Sequence, residues 1–333
     1  EVAFPSQPVG DTIQRNSLKE RIARLRADGG TNMAPAMESG LLELRKRMDP
    51  GPASTSALVN RLVLLTDGIT EKEKRCLQQA EHAAQLGIPI TALGIGKDWN
   101  DKLMEQIARA GNGDADYVSS PDKIRHHFTQ AVQQMQAVAL QHALMRIRPA
   151  LNIEVRSVYR AHPLISGLRP DPGPDRTAVV TLGEVDRGHG QTLIVELVVP
   201  PRAAGSYRIA QIEVSYDVPQ LSLTDQSSNL DILLSYSHDT AAIPPLNPEV
   251  MNLVEKTSAF KLQTRALDDL EAGNIQGATQ KLRGALTHLL NGGDTELAAT
   301  VQQELENLEK GRVMTSEGRK TIRFSSGKTV KLG

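Results

Sequence analysis

The stretch Arg61-Leu62-Val63-Leu64-Leu65-Thr66-Asp67-Gly68 decides the fold. Its apolar run is strand-sized and shows no polar alternation, which is how a strand covered on both faces reads. It stops on a carboxylate and a glycine. Residues 88–95 (IPITALGI) form a second run of the same kind. Between the two, Cys76, Leu77, Ala80, Ala83 and Ala84 recur at helical spacing, and Gly87 closes the segment as a C-cap. Strand, helix, strand is the pattern of an α/β fold with a parallel sheet. Residues 101–110 repeat the helical stripe with Leu103, Met104, Ile107 and Ala108. A last helix is expected from Ser120-Pro121, with Ile124, Phe128, Val132, Met135 and Val138 as its apolar face.

In such a sheet, ligands bind at the carboxyl ends of the strands. Asp67 sits at one of these ends. Upstream, Gly29-Gly30-Thr31-Asn32 leads into a helix with Met33, Met37, Leu41 and Leu44, so Thr31 lies on a glycine-rich loop that can approach Asp67. A hydroxyl beside a carboxylate, with room for water, suits a hard cation such as Mg²⁺. The plainer reading makes Thr31 and Asp67 caps of the helices that follow them. Asp98, Asn100 and Asp101 read as a solvated loop with an N-cap, and His126 and His127 as surface residues. Cys76 reads as a small core residue, and Lys72, Lys74 and Arg75 as a solvated helix face.

The order Gly-Gly-Thr-Asn at 29–32, Leu-Leu-Thr-Asp-Gly at 64–68, Leu-Gly-Ile-Gly at 93–96 and LMEQIARAGNGDAD-Tyr at 103–117 resembles a von Willebrand factor A domain over residues 1–142. That family's metal-ion-dependent adhesion site uses an Asp-x-Ser-x-Ser loop, a threonine and a later aspartate. The resemblance makes Thr31 the threonine and Asp67 the aspartate. Asp-x-Ser-x-Ser does not occur in this sequence; the nearest string, Asp225-Gln226-Ser227-Ser228-Asn229, lies in another region. Val2-Ala3-Phe4 resembles the family's third strand, so its first strand, first helix and second strand are expected upstream of residue 1. Metal affinity without the upstream loop is expected to be weak or absent.

Past residue 147 the texture changes. Residues 152–161, 177–185, 191–200, 206–218 and 229–236 are rich in Val, Ile, Tyr and Thr, and turn signals separate them at 169–174 and 187–190. An antiparallel β-sandwich is expected. Three prolines between 241 and 248 mark a linker. Helical periodicity then returns over 249–272, 275–290 and 295–310, with alanines at 266, 278, 285, 298 and 299 for close packing. The alternation in residues 320–332 (KTIRFSSGKTVKL) predicts a β-hairpin or a mobile basic tail. The expected plan is therefore a Rossmann-like α/β von Willebrand factor A domain over 1–145, a β-sandwich over 146–240, a helical bundle over 241–311 and a basic β-like tail over 312–333.

Across 333 residues, hydrophobic side chains make up 39%, charged ones 23% and aromatics 3%, so aliphatic residues build the cores. The formal net charge of -1 offers no long-range field for nucleic acid or anionic lipid. One cysteine excludes an internal disulfide and fits a reducing, cytoplasmic setting. No stretch reaches the length of a membrane span. Gly94-Ile95-Gly96 is only a fragment of a dinucleotide signature, and no nucleophile elbow, Walker loop or paired metal-binding histidines occur. The chain reads as a protein-binding adaptor, not an enzyme. Its cofactor would be Mg²⁺, or Mn²⁺ or Ca²⁺, bound at Thr31 and Asp67, with a partner protein presenting Asp or Glu. The resemblance to bacterial proteins of this plan implies association with kinase, phosphatase or ATPase signalling components. Two alternatives stay open: a metal-independent scaffold built on the sandwich and helices, and a non-catalytic subunit of an ATPase or metal-insertase complex.

Overall fold

The computed structural model describes residues 2–26, 30–48, 59–96, 98–188, 190–239, 241, 244–311 and 313–327. They form two compact units, Glu1–Val138 with Val218–Thr224, and Ala139–Asp217 with Asp225–Gly333.

In the first unit, helices and strands alternate: α1 (Thr12–Ala23), α2 (Met33–Met48), β1 (Leu62–Thr66), α3 (Glu73–Gln85), β2 (Ile90–Ile95), α4 (Asp101–Ala110), β3 (Ala115–Val118) and α5 (Ile124–Ala137). The three strands are parallel in the order β1-β2-β3. Ile90, Ala92 and Leu93 of β2 are buried, as are Leu103, Met104 and Ile107 of α4, which packs on β2; Met37 and Leu41 are buried on α2, which packs on β1 and α3. Each such side chain contributes about 1.5–3 kcal/mol on burial. The parallel pairing follows from the helical crossovers between strands. Cys76 is buried on α3, and burial, followed by the charge of Glu73, pushes its thiol up from the ordinary range.

Two expectations fail here. Val2-Ala3-Phe4 forms no strand; Ala3 and Phe4 instead meet Arg21 of α1, which donates to the Ala3 carbonyl at 2.7 Å and stacks over the Phe4 ring. A strand needs a backbone neighbour, and among the described residues this sheet holds β1, β2 and β3 alone. The stripe proposed for α5 is not its buried face. Ala131 is buried while Phe128 and Val132 are exposed, and Val138 already belongs to the next strand.

That strand is β4 (Val138–Pro149), which follows α5 without a loop. It starts before the change of texture seen in the sequence because Ala143, Met145 and Ile147 point alternately into a β core. With β5 (Glu154–His162), β6 (Ser166–Leu168), β7 (Asp171–Pro172), β8 (Ala178–Asp186), β9 (Thr192–Val198), β10 (Gly205–Val218) and β11 (Leu223–Tyr236) it forms two sheets. The larger has the order β11-β10-β4-β8-β7 and the smaller β6-β5-β9. Val158, Val180, Leu182 and Ala210 fill the core between them. On the other face of β4, Arg146 and Arg148 both reach Glu213 of β10.

The helices α6 (Pro248–Glu271), α7 (Ile275–Asn291) and α8 (Thr295–Glu309) follow the predicted breaks closely. Gly273 and Gly293 terminate α6 and α7 with φ of +77° and +78°, a conformation only glycine adopts cheaply. Ala266, Ala278, Ala285 and Ala298 are buried, as close helix packing requires.

The segment read as a β-like tail is largely a fourth helix, α9 (Ser316–Ser325); residues 328–333 lie outside the described ones. Its start is fixed by Glu304 of α8. This buried carboxylate accepts the Thr315 amide at 2.9 Å and the Thr315 hydroxyl, while Thr315 caps Gly318 at 2.9 Å. Gly318 is required because the Glu304 carboxyl occupies the place of a side chain there. Ile322 completes the helical core, and the Gly327 carbonyl accepts the Ile165 amide of the sandwich at 2.6 Å. Helices and sandwich also meet at Lys261 of α6, which pairs with Glu196 of β9 at 3.1 Å and lies over the Tyr159 ring of β5. Ser157, then Lys261 and Arg156, hold the Glu196 carboxyl below the usual range. No helix among the described residues is long and apolar enough to cross a membrane.

Candidate functional site

The site is built at the carboxyl end of β1. Thr66, the last residue of the strand, is buried, and its hydroxyl accepts the Gly68 amide at 3.2 Å and donates to the Gly68 carbonyl at 3.1 Å. This side-chain turn reverses the backbone immediately after the strand. Asp67 is thereby left exposed at the top of the sheet.

The loop ahead of α2 comes to the same place. The Met33 amide, first in α2, donates to the buried Thr70 hydroxyl at 3.4 Å, which ties the start of the helix to the 66–70 loop. A Cβ built on Gly68 would stand 2.6 Å from the Thr31 hydroxyl. Thr31 therefore lies against the residue that follows Asp67, and glycine at 68 leaves its oxygen the space. The capping reading of Asp67 does not hold: α3 has Lys72 as its N-cap and no side-chain bond to its first amides.

The neighbouring strands wall the site. Thr66, Gly94 and Tyr117 form one row across β1, β2 and β3. Trp99 packs on Gly94, where any side chain would collide with its indole, and donates to the Gly96 carbonyl at 2.9 Å. Its ring lies 6.0 Å from that of Tyr117. Asn100 caps α4 through the Leu103 amide at 3.0 Å, as expected, and also donates to Glu73 at 2.6 Å. Asp101 beside it is buried. His127 is not a plain surface residue: it is partly buried and lies 3.3 Å from Asp116.

Thr31 thus lies against Gly68, next in sequence to Asp67, so the two side chains singled out from the sequence stand on adjoining loops. They offer one hydroxyl and one carboxylate against the six or more oxygens such an ion needs. Among the described residues no group of three or more His, Cys, Asp or Glu side chains could hold a metal. The pair fits part of a cation site and supplies only one of its charges. Sequence reading missed Thr66 and Thr70, the hydroxyls that shape the loop; their signal was the spacing Thr-Asp-Gly-x-Thr. It also missed Trp99.

The fold of the first unit is that of a von Willebrand factor type A domain. Residues 4–117 match the von Willebrand factor type A domain family, and residues 248–331 match the Sll0103-like C-terminal alpha-helical domain, which takes in α9. The chain carries both. It is 26% identical over 320 residues to sll0103, an uncharacterized protein of Synechocystis, covering 95% of this chain and 74% of that protein. A von Willebrand factor type A protein of Catenulispora acidiphila has a similar fold, with a TM-score of 0.76 at 17% identity over 96% of this chain and 75% of its own. The human COPII-coat protein Sec24c is more distant, at 0.54 and 13%, over 96% of this chain and 45% of its own. A protein-interaction role follows from the domain class.

Proposed function

We propose that this protein is a binding adaptor, not an enzyme, and that Thr31 and Asp67 contribute oxygens to a divalent cation through which a partner's Asp or Glu is engaged. The observation that carries this reading is the close approach of Thr31 to Gly68, the residue that follows the exposed Asp67 at the end of β1. A cation bound there, Mg²⁺ or Mn²⁺, would supply an open coordination position to an incoming carboxylate. The chain's own residues do the positioning. Thr66 turns the loop so that Asp67 faces solvent, Thr70 pins the first amide of α2, and Gly68 keeps the Thr31 oxygen clear. One carboxylate and one hydroxyl leave most of the cation's sphere to water, so affinity within residues 1–333 is weak. Signalling components such as kinases, phosphatases or ATPases are the partners the domain plan implies.

The test compares Mn²⁺ titration of the wild-type chain, Asp67→Ala and Thr31→Ala, together with partner capture in Mg²⁺ or chelator. Weak binding lost in Asp67→Ala, with capture lost in chelator, supports the reading. Metal held equally by wild type and Asp67→Ala would place the cation elsewhere. Capture indifferent to chelator favours a metal-independent scaffold.

A further inference from the structure

The larger sheet of the sandwich ends, among the described residues, in β11, a strand of 14 residues. Natural sheets guard such edges with lysines, prolines or short strands, because unpaired backbone groups invite another strand. β11 is long and carries neither lysine nor proline. Its side chains read as half of an interface. Ile232 packs against the sandwich core, so Leu230 and Leu234, two residues away on either side, share its face. Yet Leu230 is 61% exposed and Leu234 37%. On the opposite face Leu233 is 66% exposed beside Asp231. Asp231 accepts from Gln211 at 3.1 Å and from Arg208 at 3.5 Å, both on β10, and its side chain is still about half exposed. From Leu223 to Val250 the sequence holds Asp225, Asp231, Asp239 and Glu249 and no lysine or arginine.

We propose that β11 is a docking edge for an extended strand of a partner protein in which apolar and basic residues alternate. Backbone pairing along residues 227–236 supplies the attachment, as in other strand-addition modes. The apolar face of the incoming strand covers Leu230 and Leu234 and extends the core already begun by Ile232. Lysines on its other face lay their aliphatic stems over Leu233 and bring their ammonium groups to Asp231. A second copy of this chain is a poor occupant, because a second acidic strand offers no cation and sets like charges across the pair. This edge lies in the sandwich, so its test is independent of the Thr31 and Asp67 site.

The probe is the peptide acetyl-Lys-Val-Lys-Val-Lys-Val-Lys-amide, with a Glu-Val peptide of equal length as control. Binding is followed by fluorescence anisotropy, and amide exchange is followed at residues 227–236. The lysine peptide is expected to bind about tenfold or more tightly than the glutamate peptide at low salt. Asp231→Lys reverses that ranking, Leu230→Ser weakens both peptides, and alternate amides of β11 become protected only when peptide is present. Equal binding of the two peptides overturns the proposal, and so does lysine-peptide binding unchanged in Asp231→Lys. Protection of those amides before peptide is added also overturns it, since a second copy or another segment would then already cover the edge.

Discussion

Replacing Gly68 with alanine tests the contact on which the site rests. The backbone there is not in the left-handed region, so the substitution carries no conformational penalty and acts by contact alone. The new methyl would stand 2.6 Å from the Thr31 hydroxyl and 3.7 Å from its Cβ. The oxygen has to retreat by about 0.8 Å or more to reach ordinary van der Waals separation. A turn of about 30° around the Thr31 side-chain bond provides this at about 0.5–1.5 kcal/mol. Trp99, the chain's one tryptophan, is buried in the same unit and reports the unfolding of that unit. With a urea dependence of about 2 kcal/mol/M, a loss of about 1 kcal/mol moves the midpoint of the fluorescence transition down by about 0.5 M. Thr31→Ala removes the oxygen that is struck, so Gly68→Ala in that background should cost less than about 0.5 kcal/mol. The same displacement draws the hydroxyl from its place beside Asp67 and weakens metal-dependent binding. If Gly68→Ala costs as much with Ala at 31 as with Thr, the two loops do not meet and the site collapses as an idea.

Three further outcomes are expected. Asp67→Ala removes metal-dependent partner capture with an unchanged circular dichroism spectrum, whereas Thr31→Ala only weakens capture, because water replaces one hydroxyl ligand more readily than a charge; calorimetry and pull-down separate the two. Ala285→Leu places three extra carbons in a fully buried position of α7 and should destabilise the helices by about 1–3 kcal/mol, read from the melting curve. Glu196 is held below the usual carboxylate range by Ser157, Lys261 and Arg156, so its contribution is complete above the unfolded pKa and is lost as pH falls through the folded one. Lys261→Met should flatten that acid dependence, modestly because the carboxylate is more than a third exposed; a slope unchanged in acid titration would show that the pair does not couple helices to sandwich.

How far the sequence disclosed the fold depended on whether one local pattern had one structural cause. The run at 90–95 is apolar because the strand is largely buried, whereas the equally apolar run at 62–66 is only half-buried with Leu65 exposed; Gly273 and Gly293 break helices because their φ is positive. The strand and the helix breaks transferred directly, but the cover expected on both faces of 62–66 did not. The positions of Asp67 at a strand end and of Thr31 on the loop ahead of a helix were legible from the apolar run and the glycines that flank them. Thr66 and Thr70 were not, since a hydroxyl that folds back on its own loop has the same composition as one in solvent; only the bonds to Gly68 and Met33 distinguish them.

The misreading of the last segment shows the opposite case, in which one pattern has two causes. Lys320, Ile322 and Phe324 alternate with Thr321 and Arg323, and all three of the alternating set are buried, as a strand would have them. They are nevertheless on a helix. A helix enclosed on one side turns every second residue toward solvent only over short stretches, but α9 is enclosed more widely: between Gly318 and Gly327 no residue is exposed. Period therefore carries no information there, because burial does not discriminate between faces. What fixes the conformation is a local charge. The four amides at the start of a helix need acceptors, and the Thr315 hydroxyl, itself held by the buried carboxylate of Glu304, accepts one of them from Gly318. A carboxylate sequestered on α8 also favours the positive end of the α9 dipole. Glu304 lies eleven residues upstream of Thr315 and looks in the sequence like one more polar residue of an amphipathic helix. The decisive interaction for the end of the chain is thus made by a side chain whose role only the packed structure reveals.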